Sequence, residues 1–277
     1  MVQRGVACQA RPVLECVVNV SEGRDADVLG ALEAAAGREL LDRHTDPHHH
    51  RSVLTLVGDE APRRVAEVAV ERIDLRRHSG VHPRLGVLDV VPFVPLAGST
   101  LADAVAARDA FAAWLVERFD VPVFRYGEER TLPDVRRRAF VDLPPDLGPA
   151  VPHPSAGATA VGARPVLVAY NVWLDDTDLA TARRIAASVR GSAVRALGLA
   201  VGDRIQVSMN LLAPDEVGPA DAYDLVARTS APLGVTVAGA ELVGLVPEPV
   251  LEAVPADRWR ALDLGPDRTI EARLGSG

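Results

Sequence analysis

Seven histidines carry most of the chemistry this sequence could do, and all of them (His44, His48, His49, His50, His78, His82 and His153) precede residue 154. They fall in three stretches. The first is His78-Ser79-Gly80-Val81-His82-Pro83-Arg84-Leu85-Gly86. Histidines at 78 and 82 would share a helix face, but Gly80 and Pro83 make the segment a loop ahead of an apolar strand, where reactive groups are often mounted. Imidazole titrates near neutral pH and so accepts or donates a proton. Arg76, Arg77 and Arg84 suit an anionic substrate, because guanidinium grips a carboxylate through two parallel hydrogen bonds. A solvated loop of hydrogen-bonded histidines fits the same spacing.

The second stretch is Asp42-Arg43-His44-Thr45-Asp46-Pro47-His48-His49-His50-Arg51. Adjacent histidines alternate faces on a strand, so three in a row cannot all reach one ion. His48 and His50, with His44 or Asp46, could form a metal site, could line an active site, or could belong to a polar surface loop. The third stretch, 153–164, is small and glycine-containing, which lets backbone approach a flat ligand; an interdomain linker has the same composition. It lacks the spacing of a dinucleotide or phosphate-loop fingerprint.

The elements that must position these residues can be read from periodicity and caps. Strands are expected over 13–20, 39–42, 52–57, 87–93, 121–125, 166–174, 205–211 and 235–246. Helices are expected over 26–36, from Pro62 to about 73, over 100–119, 178–197 and 219–229, and in a short turn from Pro247. Asp25 and Gly37 fit the first helix as cap and terminator. Six prolines between 143 and 165 mark that segment as the natural linker. Pairs of strands around single helices predict an α/β (α+β) protein of two ferredoxin-like subdomains, divided as 1–174 and 175–277.

Composition narrows the chemistry. A chain of 277 residues is long for one core and suits two domains of about 100–150 residues each. All 30 basic residues are arginine, which removes lysine Schiff-base chemistry, pyridoxal-phosphate attachment and a phosphate-loop lysine. A net charge of −8 and 4% aromatic residues argue against a nucleic-acid surface or an anionic membrane. Cys8 and Cys16 form neither a disulfide framework nor a CxxC pair. No apolar run nears the ~18 residues of a membrane span and no signal-peptide core is present, so a cytoplasmic protein is expected.

Glu15-Cys16-Val17-Val18-Asn19-Val20-Ser21-Glu22-Gly23 resembles the ECVPNFSEG motif of glutamate formimidoyltransferase, a family that stands alone in bacteria, forms the first half of formiminotransferase-cyclodeaminase in animals, and holds its substrates in the cleft between two α/β subdomains. Arg51-Ser52-Val53, His82-Pro83-Arg84-Leu85-Gly86-Val87-Leu88-Asp89, Tyr126-Gly127-Glu128 and Pro145-Asp146-Leu147-Gly148-Pro149 follow in register. So do the segment 153–164, Gln206-Val207-Ser208-Met209-Asn210-Leu211 and Leu242-Val243-Gly244-Leu245-Val246-Pro247. The matches cover nearly the whole chain.

The resemblance implies transfer of a formimidoyl group from N-formimidoyl-L-glutamate to N5 of tetrahydrofolate, the folate being a co-substrate, with no metal and a homodimeric assembly. The family's catalytic histidine falls on His82. Its folate-contacting stretch falls on Gly157, Ala158, Thr159, Ala160, Val161, Gly162, Ala163 and Arg164. Arg51, Arg84, His50 and His78 are the expected substrate contacts, with Arg51, Arg84 and Arg164 as clamps for glutamate carboxylates. The chain departs from the family at two positions beside the site. His44 replaces an Asp that assists the catalytic histidine, and His50 replaces an Asn. A carboxylate that orients an imidazole and stabilises its cation is not matched by a second imidazole. A relative of the same fold acting on another amine, imine or one-carbon donor is therefore a second expectation, and a non-catalytic folate-binding protein a third. The second half is short, and no cyclodeaminase domain is expected.

Overall fold

The computed structural model describes residues 12–80 and 84–275 and contains two sheets, each covered by helices on one face. In the first subdomain β1 (Leu14–Val20), α1 (Ala26–Ala36), β2 (Leu40–Asp46), β3 (Arg51–Val57), α2 (Ala61–Arg72) and β4 (Leu88–Pro95) run as βαββαβ with strand order β2-β3-β1-β4. Two further strands, β5 (Val123–Tyr126) and β6 (Thr159–Ala163), extend the sheet past β4 by parallel pairing. α3 (Leu101–Phe119) connects β4 to β5, and α4 (Leu132–Arg138) lies between β5 and β6. The second subdomain repeats the pattern with β7 (Val168–Asp175), α5 (Leu179–Val189), β8 (Val194–Val201), β9 (Arg204–Leu211), α6 (Pro219–Ser230) and β10 (Thr236–Val243). Its order is β10-β7-β9-β8, antiparallel throughout. Both four-strand units are ferredoxin-like. Two short helices, α7 (Glu248–Glu252) and α8 (Ile270–Gly275), follow.

Local sequence explains the elements. The Asp25 side chain accepts from the Asp27 and Val28 amides at the start of α1, and Gly37 ends it at φ 61°. Thr100 and Asp103 form a reciprocal capping box on α3. Alternation then sorts the strands. Leu14, Cys16, Val18 and Val20 of β1 face the helices, whereas Glu15, Val17 and Asn19 face away. In the second sheet Tyr170, Val172, Val207 and Met209 pack on the helices, leaving Ala169, Asn171, Gln206, Ser208 and Asn210 on the other side. α4 packs on the cleft-side face of the first sheet at its β4-β6-β5 end; the rest of that face opposes the open face of the second sheet, so the layers run helix, sheet, cleft, sheet, helix.

The structure corrects four expectations. The proline-rich stretch taken as a linker contains β6, the strand between β4 and β5, every residue of which is buried. The helix expected over 178–197 stops at Val189; beyond Gly191 the alternation of Val194–Val201 makes it β8 instead. α4, capped by Thr131, was not anticipated. β7 belongs wholly to the second sheet, so the sheets part between Ala163 and Val168 rather than at 174. No helix among the described residues is long and apolar enough to cross a membrane.

Candidate active site

Between the sheets lies a cavity of about 310 Å³. The first sheet contributes Glu15, Asn19, His44, Asp46, Arg51 and Tyr126, together with His49 and Arg164; the second contributes Asn171, Gln206, Ser208, Asn210 and Glu241. Apolar side chains, among them Val17, Pro92, Leu197, Leu199 and Leu245, fill the rest of the lining. Such a mixture, an apolar container with a few convergent polar groups, is typical of a small-molecule site.

Arg51 is oriented from beneath. Its guanidinium donates through Nε (3.1 Å) and through Nη2 to the Asn19 side-chain oxygen, and Nη1 lies 3.8 Å from Asp89. Burial lowers its pKa to about 10, opposed by the Asp89 carboxylate. Asp89 is itself 1% exposed, accepts from Arg136 at 2.6 Å, and receives the Leu85 amide at 2.7 Å. One carboxylate thus ties β4 to the loop that follows residue 83 and to the arginine in the cleft. Glu15, at the other end of β1, has its pKa raised to about 7 because burial penalises its charge more than nearby Arg164 favours it. Tyr126, pushed up to about 12 by burial, lies flat on Gly162, where any Cβ would come within 2.3 Å of the ring.

The other expected contacts gather at a second cluster, formed by loops. His50 places Nε2 3.0 Å from Glu22 and Nδ1 2.9 Å from the Ser79 carbonyl, and its ring stacks on His78 at 3.9 Å. Arg84 donates to His78 Nδ1 and, at 2.8 Å, to the Gly80 carbonyl. Nδ1 of His78 therefore accepts, and Nε2 donates to the His50 carbonyl at 3.2 Å, which requires a neutral ring. Burial first and the Arg84 charge second agree, lowering its pKa to about 4. Burial opposes ionisation of Glu22, but the amides of Gly23, Arg24 and Asp25, with His50, hold its carboxyl below the usual range.

The structure thus brings together His44, Arg51 and Arg164 in the cleft, and His50, His78 and Arg84 in the loop cluster. His82, with Val81 and Pro83, lies outside the described residues, as does Cys8. Of the segment 157–164 only Arg164 lines the cavity; Gly157 closes a turn at φ 73° against the Leu85 carbonyl, Ala158 is buried beside it, and Thr159, Ala160, Val161, Gly162 and Ala163 form β6. His153 receives the Ala156 amide at 3.0 Å and serves that turn. His49 pairs with Asp46 at 2.7 Å, while His48 sits against Gly202 at the tip of the β8–β9 hairpin. Among the described residues no group of three or more His, Cys, Asp or Glu is arranged for a metal ion. Sequence reasoning missed Glu15, Asp89, Asn171 and Glu241. The available signal was a polar residue set within an otherwise mostly apolar strand.

A pair of ferredoxin-like subdomains closing on one polar cleft is the architecture, and comparison with known proteins supplies the family. Residues 13–164 match the N-terminal subdomain of the formiminotransferase domain, and residues 169–256 match the formiminotransferase domain. The chain is 36% identical over 270 residues to a glutamate formimidoyltransferase of Streptococcus pyogenes, covering 86% of this chain and 90% of that protein. It is 34% identical over 272 residues to the glutamate formimidoyltransferase of Thermoplasma acidophilum, covering 86% and 89%. Against the formimidoyltransferase-cyclodeaminase of Sus scrofa the identity is 36% over 272 residues, and the match spans 50% of that longer protein. The chain belongs to the formiminotransferase family.

Proposed function

We infer that this protein transfers the formimidoyl group of N-formimidoyl-L-glutamate to N5 of tetrahydrofolate. The observation that carries the reading is family membership over nearly the whole chain, joined to a cleft whose two walls come from the two matched domains. In the reaction N5 attacks the formimidoyl carbon and loses its proton, and the bond from that carbon to the glutamate nitrogen breaks as that nitrogen gains one. His82 is the base for the first transfer and, once protonated, the acid for the second. His44 faces the reacting groups from the first sheet. Arg51 and Arg164 supply positive charge in the cleft for the carboxylates of donor and folate, and Arg84, with His50 and His78, ties residues 78–80 to residue 84. Of the segment 157–164, Arg164, which follows β6 and lines the cavity, is the residue that meets the folate. The protein acts as a homodimer in the cytoplasm.

The test is direct. Purified protein given both substrates forms 5-formimidoyl-tetrahydrofolate and releases glutamate; absence of product under saturating conditions overturns the reading. A second reading is favoured by one specific feature, the imidazole of His44 where the family motif has a carboxylate. It keeps the fold and His82 but takes another amine, imine or one-carbon donor. Folate binding without formimidoyl transfer, together with turnover of another formimidoyl or formyl donor, selects it.

A further inference from the structure

His44 reaches the cleft because β2 carries a bulge. Leu40 pairs with Leu56 and packs on the helix side, yet Asp42 pairs with Thr55, so Leu41 is an extra residue in the register. Beyond it the even-numbered residues of β2 share a face with Arg51, Val53 and Thr55, which line the cavity. Across the cavity stands Glu241 of β10, with Oε1 3.5 Å from His44 Nε2. Its other oxygen accepts from Asn171 Nδ2 at 2.9 Å, and Asn171 is its cross-strand neighbour and 8% exposed. The carboxylate is therefore aimed by its own sheet, not merely near the imidazole. His44 Nδ1 has no hydrogen-bond partner among the described residues, in a side chain that lines the cleft.

We propose that Glu241 is a positioning residue of this cleft, supplying from the second sheet the carboxylate that fixes the His44 ring and turns Nδ1 toward bound substrate. The inference rests on the formimidoyl-transfer reading of the cleft. The family motif carries a carboxylate at position 44 itself, within the first sheet; here the carboxylate stands on the opposite wall and the imidazole between it and the substrate. The pair is complete only when both subdomains face each other, and contacts that are long in a free site commonly tighten when a ligand closes it. One consequence separates this arrangement from two unrelated side chains. Restoring the motif with His44→Asp alone sets two carboxylates against each other, and Glu241→Gln should relieve that repulsion.

The experiment uses the full chain as wild type, Glu241→Gln, His44→Asp and the double variant, with Asn171→Ala as a fifth protein that keeps both partners but removes the anchor. Ring nitrogen-15 shifts of His44, read without substrate, report which nitrogen carries the proton. Glu241→Gln and Asn171→Ala are expected to move those shifts and to lower kcat by at least about tenfold, as loss of a carboxylate that orients an imidazole does, with little change in KM. His44→Asp is expected to lose more, and the double variant to recover at least tenfold over it. Unchanged ring shifts in Glu241→Gln, or losses that simply multiply in the double variant, overturn the proposal. A wild-type protein with no formimidoyl transfer defeats the functional reading instead; the ring shifts and a thermal-unfolding cycle over the same four proteins then still decide whether the pair is coupled.

Discussion

Glu15 is a carboxyl group that the fold keeps on the protonated side of its ordinary range, and that has a measurable consequence. Its pKa rises from 4.5 to about 7, so the native state favours the neutral form. The resulting penalty is absent below about pH 4.5, grows as pH rises, and is complete above about pH 7. Its size is on the order of 3 kcal/mol at the usual conversion of pKa to free energy. Glu15→Gln should therefore stabilise the protein at pH 8 relative to wild type and change little at pH 5, as read by denaturant unfolding at the two pH values. An equal effect at both would show that Glu15 ionises freely. For His82, replacement by Ala should lower kcat by about 10²- to 10⁴-fold, the range for losing a general base, while equilibrium binding of a non-reactive tetrahydrofolate analogue is retained. Loss of binding with kcat preserved at saturation would place His82 in recognition instead.

At the scale of elements, the cleft depends on strands whose two faces differ. β6 shows this most sharply. Val161 and Ala163 fill the helix-side core while Gly162 makes room for the Tyr126 ring that forms part of the cavity wall. Gly162→Ala should cost about 1–3 kcal/mol, as overpacking in a filled region does, and should raise KM for folate as Tyr126 is displaced. Thermal unfolding and steady-state kinetics check both; a silent substitution would mean that the ring moves freely. Caps and turn residues made most elements legible in the sequence, and α1 was bounded at 26–36 as observed because Asp25 and Gly37 punctuate it. β6 and β8 were not legible. β6 is five residues of small side chains in a proline-rich context, and β8, although its burial alternates, follows a helix after a short break and carries the apolar Leu197 and Leu199 on its open face, so neither shows a polar/apolar period in the sequence.

For the whole molecule, the relation between the subdomains is what makes a site of two half-sites. Besides the pair of His44 and Glu241, a small apolar cluster joins Leu41 of β2 to Leu245 and to Ile270 of α8, each 7% exposed or less. The same bulge that turns His44 into the cleft releases Leu41 to make this contact. Ile270→Ala should cost about 2–5 kcal/mol and loosen the seat of one sheet on the other. Its kinetic signature should be a rise in KM for both substrates exceeding the change in kcat. A fall in kcat alone would show that the cluster acts through the reacting groups rather than through closure.

The family and the two-subdomain architecture were written in the sequence, because motifs, caps and alternation are local and survive without knowledge of the partner strand. Strand neighbours and sheet faces across the cleft were not, since they depend on contacts between residues far apart in the chain. Tertiary structure alone decided that His44 meets Glu241, that Arg51 is held by Asn19 and Asp89, and that most of residues 157–164 form the interior of a sheet. A one-residue bulge at Leu41 and the stacking of two independent sheets set the first of these, strand order and register within the first sheet set the other two, and none of them leaves a periodic trace in the amino-acid order.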